Sequence, residues 1–492
     1  MRLTRRSFLK TGGAALTLLA GEAQAQAAWR WLPGLVAPLT EDSPFTAPQS
    51  PDIDLIAHTL NRTSFGMTGG DYARVKALAP EPEAALKQYL EEQLSSKTEE
   101  SKALRFTIRH LEVLQEPVGE LYEYKDDILL RMMLRATLLR AVYARRQLYE
   151  VMVQFWTDHF NIDQSKGECK WLKAADDRDV IRAHALGDFP AMLRASALSP
   201  AMLWYLDGRV NRKAEGDSKP NENYARELLE LHTLGVHGGY TQSDVMEVAR
   251  CLTGWTVRDK DRFFKGRVEF DADQHDDGVK QVLGETISAG LGRDDLTRVL
   301  GIVALHPATA KHLATKLCRR FIADEPHAAA VSAVAQSFLT SKGDIPTTLM
   351  TLFTTAEFRA ARGTKLRRPF EFIVATLRAV RAETDGGQGL TDYLLRMGHA
   401  PFHYPTPDGY PVESEPWLAT LLWRWNFAVA LTEQRIPGTR CDFARLKQQA
   451  GGEAAVMAAL LGRQAQVAER EAYHASGNGL ALLLASPAFQ YC

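Results

Sequence analysis

Ionisable side chains crowd into the segment from Asn221 to Val257, whose other residues are largely apolar. A buried carboxylate costs free energy unless it is paired, hydrogen-bonded or bound to a metal ion. Glutamate and histidine are also side chains that commonly transfer protons or bind divalent metals. This part of the chain therefore predicts a reactive site. The candidate catalytic residues are Glu227, Glu230, Glu247 and His159.

A metal site is one interpretation of these residue types. Oxygen ligands with one or two imidazoles suit manganese, iron, zinc or calcium, and facing helices can direct carboxylates at one ion. The predicted ligands are His159, Glu227 and Glu230. The spacing differs from the E-x-x-H motif of di-iron bundles, because His232 follows Glu230 by only two residues. A divalent metal is thus an open alternative, and the cofactor stays unassigned.

Proton transfer without a metal is the second interpretation. The same carboxylates could act as general acid and base in the hydrolysis of a glycoside or another polymer. Four further polar residues are predicted to contact the substrate, namely Asn161, Asn223, His275 and Lys280. The structural alternative is a buried ion network, in which the glutamates pair with Arg182, Arg226 and Arg250.

Several other chemistries are disfavoured by the motifs. Gln154 to Asn161 (QFWTDHFN) has a shallow likeness to the distal histidine signature of animal-type haem peroxidases, but no convincing proximal histidine follows, so haem is not expected. The chain has no G-x-S-x-G sequence, no Walker loop and no G-x-G-x-x-G after a strand. Its five cysteines lack C-x-x-C spacing, which argues against a disulfide framework or a cysteine zinc site.

Two predicted helices position the candidate carboxylates. Ala225 to Val236 carries Glu227 and Glu230, and Ser243 to Leu252 carries Glu247. Two glycines in the connection suit a reversal of the chain, so the helices are expected to form a hairpin. Asp244 has an ordinary role, because it follows Thr241 at the spacing of a capping box.

Helical periodicity dominates the rest of the chain, and strand signals are sparse. The clearest strand segments are Arg267 to Phe270 and Lys280 to Leu283, which could form a small irregular hairpin. The expected fold is mainly α, with one large multi-helix domain and a few short β-strands. The other predicted helices are Asp52 to Thr63, Gly70 to Leu78, Glu81 to Leu94, Tyr124 to Asn161, Asp176 to Leu186, Ala308 to Phe321 and Thr364 to Ala382.

The first residues have the pattern of a twin-arginine export signal. Thr4 to Lys10 (TRRSFLK) precedes the short apolar run Thr11 to Ala20 and the small-residue sequence Ala23 to Ala25. We therefore expect a signal peptide at residues 1–25, an extended arm at 26–51 and a helical domain at 52–492. The mature protein is expected to be periplasmic or secreted after export in folded form.

Composition narrows the class of partner. A net charge of -1, from 59 basic and 60 acidic residues, provides no global field that would attract nucleic acid. No later segment approaches the roughly 18 apolar residues of a transmembrane helix, so the mature chain is expected to have no integral membrane segment.

Ordered sequence blocks run from about Ile56 to the C-terminus and resemble the bacterial family called domain of unknown function 1800. The resemblance implies a secreted, mostly helical protein, often encoded beside an exported family that looks like sulfatases and alkaline phosphatases. It implies no established activity. Asp158 is a departure, because the family usually has an amide or a small polar residue there. The blocks are His58 to Gly66 (HTLNRTSFG), Phe155 to Asn161 (FWTDHFN), Ile181 to Phe189 (IRAHALGDF), Asn221 to Trp255, His275 to Gly284 (HDDGVKQVLG), His306 to Phe321 and Pro405 to Pro411.

Two hypotheses about function follow from the sequence. The first is an exported enzyme with a carboxylate and histidine site, with or without a metal, that acts on an extracytoplasmic substrate such as a surface polymer. The second is a non-catalytic helical scaffold, or partner, of an exported sulfatase- or phosphatase-like protein. Sequence alone leaves open whether the protein is an enzyme.

Overall fold

Helices form nearly all of the regular structure in the computed structural model, which describes residues 45–260 and 264–492. The predicted signal peptide and most of the predicted arm, residues 1–44, lie outside this range. The α-helices are α1 Leu55–Thr63, α2 Gly69–Lys76, α3 Pro82–Leu94, α4 Lys102–Ile108, α5 Val118–Leu121, α6 Asp126–Tyr143, α7 Gln147–His159, α8 Cys169–Asp176, α9 Phe189–Ala197, α10 Pro200–Tyr205, α11 Asn223–Glu227, α12 Gln242–Cys251, α13 Asp294–Ala304, α14 Pro307–Phe321, α15 Ala328–Thr340, α16 Ile345–Thr354, α17 Ala356–Ala360, α18 Pro369–Ala379, α19 Gln388–Arg396, α20 Leu421–Thr432, α21 Phe443–Ala450, α22 Glu453–Leu461, α23 Val467–Ala475, α24 Gly479–Ala485 and α25 Pro487–Gln490.

Shorter helical turns and three small sheets complete the described part of the chain. Each sheet has two antiparallel strands, paired β1 with β2, β3 with β4 and β5 with β6. The strands are β1 Trp255–Val257, β2 Val268–Phe270, β3 Lys280–Val282, β4 Glu285–Ile287, β5 Glu383–Thr384 and β6 Thr439–Arg440. Two π-helices cover Asp177–Arg182 and Leu228–His232, and four 3-10 helices cover Glu112–Gln115, Gly208–Val210, Ala272–Gln274 and Glu415–Thr420.

These elements surround one continuous core. A cluster of buried apolar side chains extends from Ile56 in α1 to Phe489 in α25, so the first and last helices contribute to the same interior. The prediction of a mainly α, single-domain fold with a few short strands is confirmed. None of the helices in residues 45–260 and 264–492 is long and apolar enough to cross a membrane.

The long helix predicted from Tyr124 to Asn161 is divided into α6 and α7. Ala144 has an extended backbone, with ψ 140°, and ends α6. The side-chain amide of Gln147 donates to the carbonyl oxygens of Ala141 and Ala144, at 3.0 and 2.9 Å. These bonds satisfy carbonyls that a continuing helix would otherwise use, and periodicity does not reveal them.

The predicted pairing of the strands near Arg267 and Lys280 is wrong, although strands form at both places. β2 pairs with β1, and β3 pairs with β4 through a tight turn in which both Leu283 and Gly284 have positive φ, 51° and 82°. The connection between β2 and β3 contains His275, whose ring is anchored in the interior and holds the two strands in separate sheets.

The five cysteines are all free thiols. Cys169, Cys251 and Cys318 are buried, whereas Cys441 and Cys492 are partly exposed. No disulfide therefore contributes to the described fold, whose helices are held by packing, capping and hydrogen bonds.

Candidate functional site

A π-helical turn sets the direction of the candidate side chains. The turn Leu228–His232 continues directly from α11. The hydroxyl of Thr233 donates to the Leu228 carbonyl oxygen at 2.6 Å, which satisfies a carbonyl at the end of the turn. Hydrogen bonds in a π-helix run from residue i to i+5, so a phase of 100° per residue does not carry across it. This is why helical spacing alone fails to place Glu230 and His232.

The imidazole of His159 lies between a carbonyl oxygen and an amine. Its Nε2 lies 3.2 Å from the carbonyl oxygen of His232, and its Nδ1 lies 3.0 Å from Nζ of Lys316. Because a carbonyl oxygen only accepts, Nε2 carries the proton and Nδ1 accepts from the amine. Burial, reinforced by the charge of Lys316, holds the pKa of His159 well below its usual value. The ring is therefore neutral.

Two further histidines lie close to His159. The ring centroids of His232 and His312 are 6.2 and 6.3 Å from that of His159. His232 is fully buried, and neither of its ring nitrogens has a hydrogen-bond partner among the described residues. Burial, with the nearby charge of Lys316, lowers the pKa of His232 to about 3 and that of His312 to about 4. Three neutral imidazoles thus share this region with one amine.

Lys316 is the residue that sequence reasoning missed. Burial lowers its pKa to about 8, although the charges of Asp158, Asp408 and Glu413 oppose this effect. A signal was present in the sequence, because His312 and Lys316 are four residues apart on α14 and therefore share one face.

Glu227 is the last residue of α11 and Glu230 lies within the π-turn, and both residues are partly exposed. Glu230 accepts a hydrogen bond from the hydroxyl of Tyr240 at 3.3 Å. The carboxylate of Glu227 forms no hydrogen bond or ion pair within residues 45–260 and 264–492. Burial raises its pKa, the charges of Glu230 and Asp408 raise it further, and Arg226 opposes them.

Glu247 belongs to a separate ion network. Both of its carboxylate oxygens accept from Nη1 of Arg250, at 3.0 and 2.9 Å, and one also accepts from the backbone N–H of Gln281. The other edge of the Arg250 guanidinium donates to Asp276 at 2.7 and 3.0 Å. The geometry thus supports a structural role for Glu247, which fixes β3 beside α12.

His275 and Lys280, predicted to bind substrate, are both buried and paired. Nε2 of His275 lies 3.1 Å from a carboxylate oxygen of Asp295, and Nδ1 lies 2.9 Å from the Thr253 carbonyl oxygen. The ammonium of Lys280 contacts the same oxygen of Asp295 and the carbonyl oxygen of Asp276. These contacts satisfy both side chains within the protein and support a structural role.

Asn161 and Asn223 each donate to backbone carbonyl groups. The buried amide of Asn161 holds the loop of residues 404–410 by donating to the carbonyl oxygens of Tyr404 and Thr406, at 2.9 and 2.7 Å. Asn223 is exposed and donates to Leu206 at 3.1 Å. Asn161 therefore positions a loop beside His159, and Asn223 remains open to solvent.

The arginines proposed as partners of the glutamates are mostly used elsewhere. Arg226 pairs with Glu222 at 2.9 Å and also donates to Gln242. Arg182 binds Glu150 and Asp177, at 3.0 and 2.8 Å. Of the predicted pairings with the candidate glutamates, only that between Glu247 and Arg250 is present. Another buried ion network, which does not include the candidate glutamates, lies around Glu371.

That network begins beside the candidate histidine. Arg368 donates to Asp158 at 2.9 Å and to Glu371 at 3.0 Å, and Arg320 lies 3.1 Å from the same Glu371 oxygen. Burial opposes ionisation of Glu371, but Arg320 and Arg368 outweigh it and hold its pKa far below the usual value. The acidic residue next to His159 is thus anchored to α18.

The predicted metal ligands do not fit a common ion in this arrangement. Both ring nitrogens of His159 already face neighbouring groups, the His232 carbonyl oxygen and the Lys316 amine. Within residues 45–260 and 264–492, no group of three or more histidine, cysteine, aspartate or glutamate side chains is arranged to hold a metal ion. We therefore derive no chemistry through a metal at His159, Glu227 and Glu230.

Comparison with known proteins identifies the family. Residues 58–491 match the family model described as protein of unknown function (DUF1800). Because the match covers most of the chain, the protein belongs to this family, in agreement with the resemblance of its sequence blocks. No curated protein and no solved structure matched the chain.

Proposed function

We propose that the protein is an exported enzyme that uses Glu227 as a general acid and base on an extracytoplasmic substrate. The observation that carries this proposal is that the carboxylate of Glu227 has no hydrogen bond or ion pair within residues 45–260 and 264–492, although the residue is partly buried. Structural carboxylates at comparable depth, such as Glu247 and Asp276, are held by arginine.

The electrostatic surroundings of Glu227 support this role. Burial comes first among the causes that raise its pKa, and the carboxylates of Glu230 and Asp408 add to it. A carboxyl group whose pKa is moved toward neutrality can both donate and accept a proton at working pH. Asp408 lies in an exposed part of the loop of residues 404–410, so a substrate could approach Glu227 from that side.

The π-turn next to Glu227 is a second reason for this choice. π-helical turns are rare and occur frequently at functional sites, because they redirect a side chain at a cost in helix geometry. Here the turn places Glu230 and His232 where regular helical spacing would not.

A panel of extracytoplasmic polymers tests the enzyme hypothesis. Wild-type protein purified after export would be incubated with cell-wall glycan, exopolysaccharide and polyester substrates, and bond cleavage followed by new reducing or carboxyl ends. We expect Glu227→Gln to lower turnover about 100-fold, the usual loss when a general acid or base is removed. Glu222→Gln is the matched control, because Glu222 flanks the same helix but pairs with Arg226. Turnover that survives Glu227→Gln would contradict the proposal.

Stability of the same variant separates catalysis from a structural role. A carboxyl group with a raised pKa in the folded state destabilises that state when it ionises. Stability therefore falls as pH rises above the pKa that the group has in the unfolded chain. Glu227→Gln should therefore be at least as stable as the wild type at pH 7. Thermal unfolding of both proteins measures this, and a large loss of stability would instead indicate a buried partner.

A second candidate function is docking of an exported sulfatase- or phosphatase-like protein. It is favoured by an apolar ridge, which consists of Leu418, Leu421, Leu422 and Trp425. Their exposed fractions are 45%, 48%, 67% and 41%, and their spacing places them on one face of α20 and the turn before it. Contiguous exposed apolar side chains often mark interaction sites.

Charge placed on the ridge tests the docking function. Leu422→Lys with Trp425→Lys should abolish co-purification of a co-expressed exported sulfatase- or phosphatase-like protein, whereas Val467→Lys should not. Val467 is the control because it is 60% exposed but lies apart on α23. Glu227→Gln should leave this binding unchanged. If the ridge variant still binds the partner, the ridge is not its docking surface.

A further inference from the structure

Among the described residues, the lysines with the least exposed side chains are held by carboxylates. Three lysines have exposed fractions of 3% or less, and the ammonium of each contacts an aspartate. The pairs are Lys173 with Asp176, Lys280 with Asp295 and Lys365 with Asp324. Pairing of this kind keeps an amine charged and chemically inert.

Lys316 differs from these three lysines. Its Nζ has one polar contact among the described residues, the neutral Nδ1 of His159 at 3.0 Å, and no carboxylate lies within ion-pair distance of it. A neutral imidazole stabilises an ammonium less than a carboxylate does, and burial penalises the charge. The residue as a whole is partly exposed, whereas its amine lies in a buried environment that disfavours the charge.

The groups around the Lys316 amine have opposing effects on its protonation. Asp158, Asp408 and Glu413 favour the charged form from a distance, whereas Arg319 and the burial disfavour it. The three imidazoles of His159, His232 and His312 remain neutral and add no compensating charge. Burial lowers the pKa of Lys316 to about 8, so a useful fraction is the free amine near neutral pH. Lysines in such surroundings act as nucleophiles toward carbonyl groups.

We propose that Lys316 is a nucleophile that condenses with an aldehyde or ketone group of the substrate. The inference rests on the proposed enzyme function and extends it by naming a carbonyl compound as the substrate class. The nitrogen lone pair forms a bond to the carbonyl carbon, and a proton passes from nitrogen to the former carbonyl oxygen. The resulting hydroxyl leaves as water with the second amine hydrogen, and a C=N bond forms without any oxidant or reductant.

His159 is a positioning residue in this scheme. Its Nδ1 accepts one hydrogen of the amine, which restricts rotation of the amine about its Cε–Nζ bond. Its Nε2–H is tied to the His232 carbonyl oxygen, which fixes the tautomer that can accept from Lys316. The π-turn that presents the His232 carbonyl therefore also orients the nucleophile.

Reductive trapping tests the proposal on the full exported protein. The protein would be incubated with acetaldehyde and cyanoborohydride at pH 7.5, and ethylated lysines would be located by peptide mass spectrometry. Lys311 is the internal control, because it lies on α14 five residues earlier and is exposed. We expect Lys316 to be labelled about tenfold faster than Lys311, because more of it is the free amine. Labelling no faster than at Lys311, or only after unfolding in urea, would overturn the proposal.

Two variants distinguish a failure of the lysine inference from a failure of the proposed function of Glu227. Lys316→Arg should retain the wild-type unfolding temperature and lose only the fast-labelled site. His159→Gln, if folded, should slow labelling of Lys316 relative to Lys311, whereas a purely structural His159 would leave that ratio unchanged. Slow labelling with turnover that still depends on Glu227 overturns the lysine inference alone. Fast labelling with turnover indifferent to Glu227→Gln overturns the proposed acid and base role alone.

Discussion

Gly409 lies directly against the main chain of Asp158, and a Cβ atom at position 409 would overlap the Asp158 carbonyl oxygen. Gly409 also has a φ of 76°, a conformation that side-chain-bearing residues rarely adopt. The contact places the loop of residues 404–410 against the end of α7, which carries His159. The position of this loop, and of Asp408 in it, therefore depends on the absence of a side chain at residue 409.

Gly409→Ala should destabilise the protein more than its conformation alone explains. Gly451 is the matched control, because its φ is also 76° but nothing lies within 4 Å of a Cβ there. We expect Gly451→Ala to cost about 1 kcal/mol of unfolding free energy through backbone strain. Gly409→Ala should cost roughly 2 kcal/mol more, because the loop must move off Asp158. Urea denaturation measures both, and equal losses would show that the close approach contributes little.

Asn161→Asp should release the same loop from its other anchor. The substitution keeps the shape of the side chain but replaces the amide donor with an acceptor facing the carbonyl oxygens of Tyr404 and Thr406. Loss of two buried hydrogen bonds with an unpaired charge should cost about 3 kcal/mol or more. Hydrogen exchange should rise in residues 403–410. The exposed Asn223→Asp is the control and should cost less than about 1 kcal/mol.

Glu371→Gln should remove the centre of the buried ion network. Arg320 and Arg368 would then be left with uncompensated charge in the interior, which typically costs about 3 to 5 kcal/mol. Glu433→Gln is the control, because Glu433 pairs with Arg435 at the surface, where both side chains are about half exposed. That change should cost less than about 1 kcal/mol. A small loss in Glu371→Gln would mean that the arginines find other partners.

The same carboxylate should make stability depend on acidity. Because Arg320 and Arg368 hold the pKa of Glu371 below its unfolded value, the unfolded chain binds the proton first as pH falls. The contribution of Glu371 is complete above pH of about 4.5 and is lost progressively below it. Unfolding free energies measured between pH 6 and pH 3 should therefore fall less steeply in Glu371→Gln. An unchanged slope would assign the acid sensitivity to other groups.

Local signals in the sequence predict local structure well in this chain. The capping box of Thr241 and Asp244 is present with both of its hydrogen bonds, and it begins α12 as predicted. The mainly α fold can also be predicted from local sequence, because apolar residues recur at helical spacing on the buried face of each helix. Strand existence near Val268 and Lys280 could also be predicted, but strand pairing depends on the distant anchor of His275.

The candidate site could be predicted only in part, because its contacts join distant segments. The amine of Lys316 and the imidazole of His159 are 157 residues apart, and no spacing rule connects them. The partners of Glu247 and Glu227 differ for a similar reason: Arg250 is one turn from Glu247, whereas the neighbours of Glu227 include Asp408 on a remote loop. The π-turn Leu228–His232, which follows Glu227, also prevents helical spacing from predicting the directions of Glu230 and His232.

His232→Leu provides the last prediction, because this buried ring has no hydrogen-bond partner for either nitrogen among the described residues. Burial lowers its pKa to about 3, so between pH 6.5 and 3 the unfolded chain binds more protons and stability falls as pH falls. An apolar side chain removes this penalty and the unpaired polar atoms. His232→Leu should therefore match the wild type within about 1 kcal/mol at pH 7.5 and exceed it at pH 4.5. The exposed His237→Leu should show no such gain, and a loss above about 2 kcal/mol at pH 7.5 would mean that the ring is held by polar interactions.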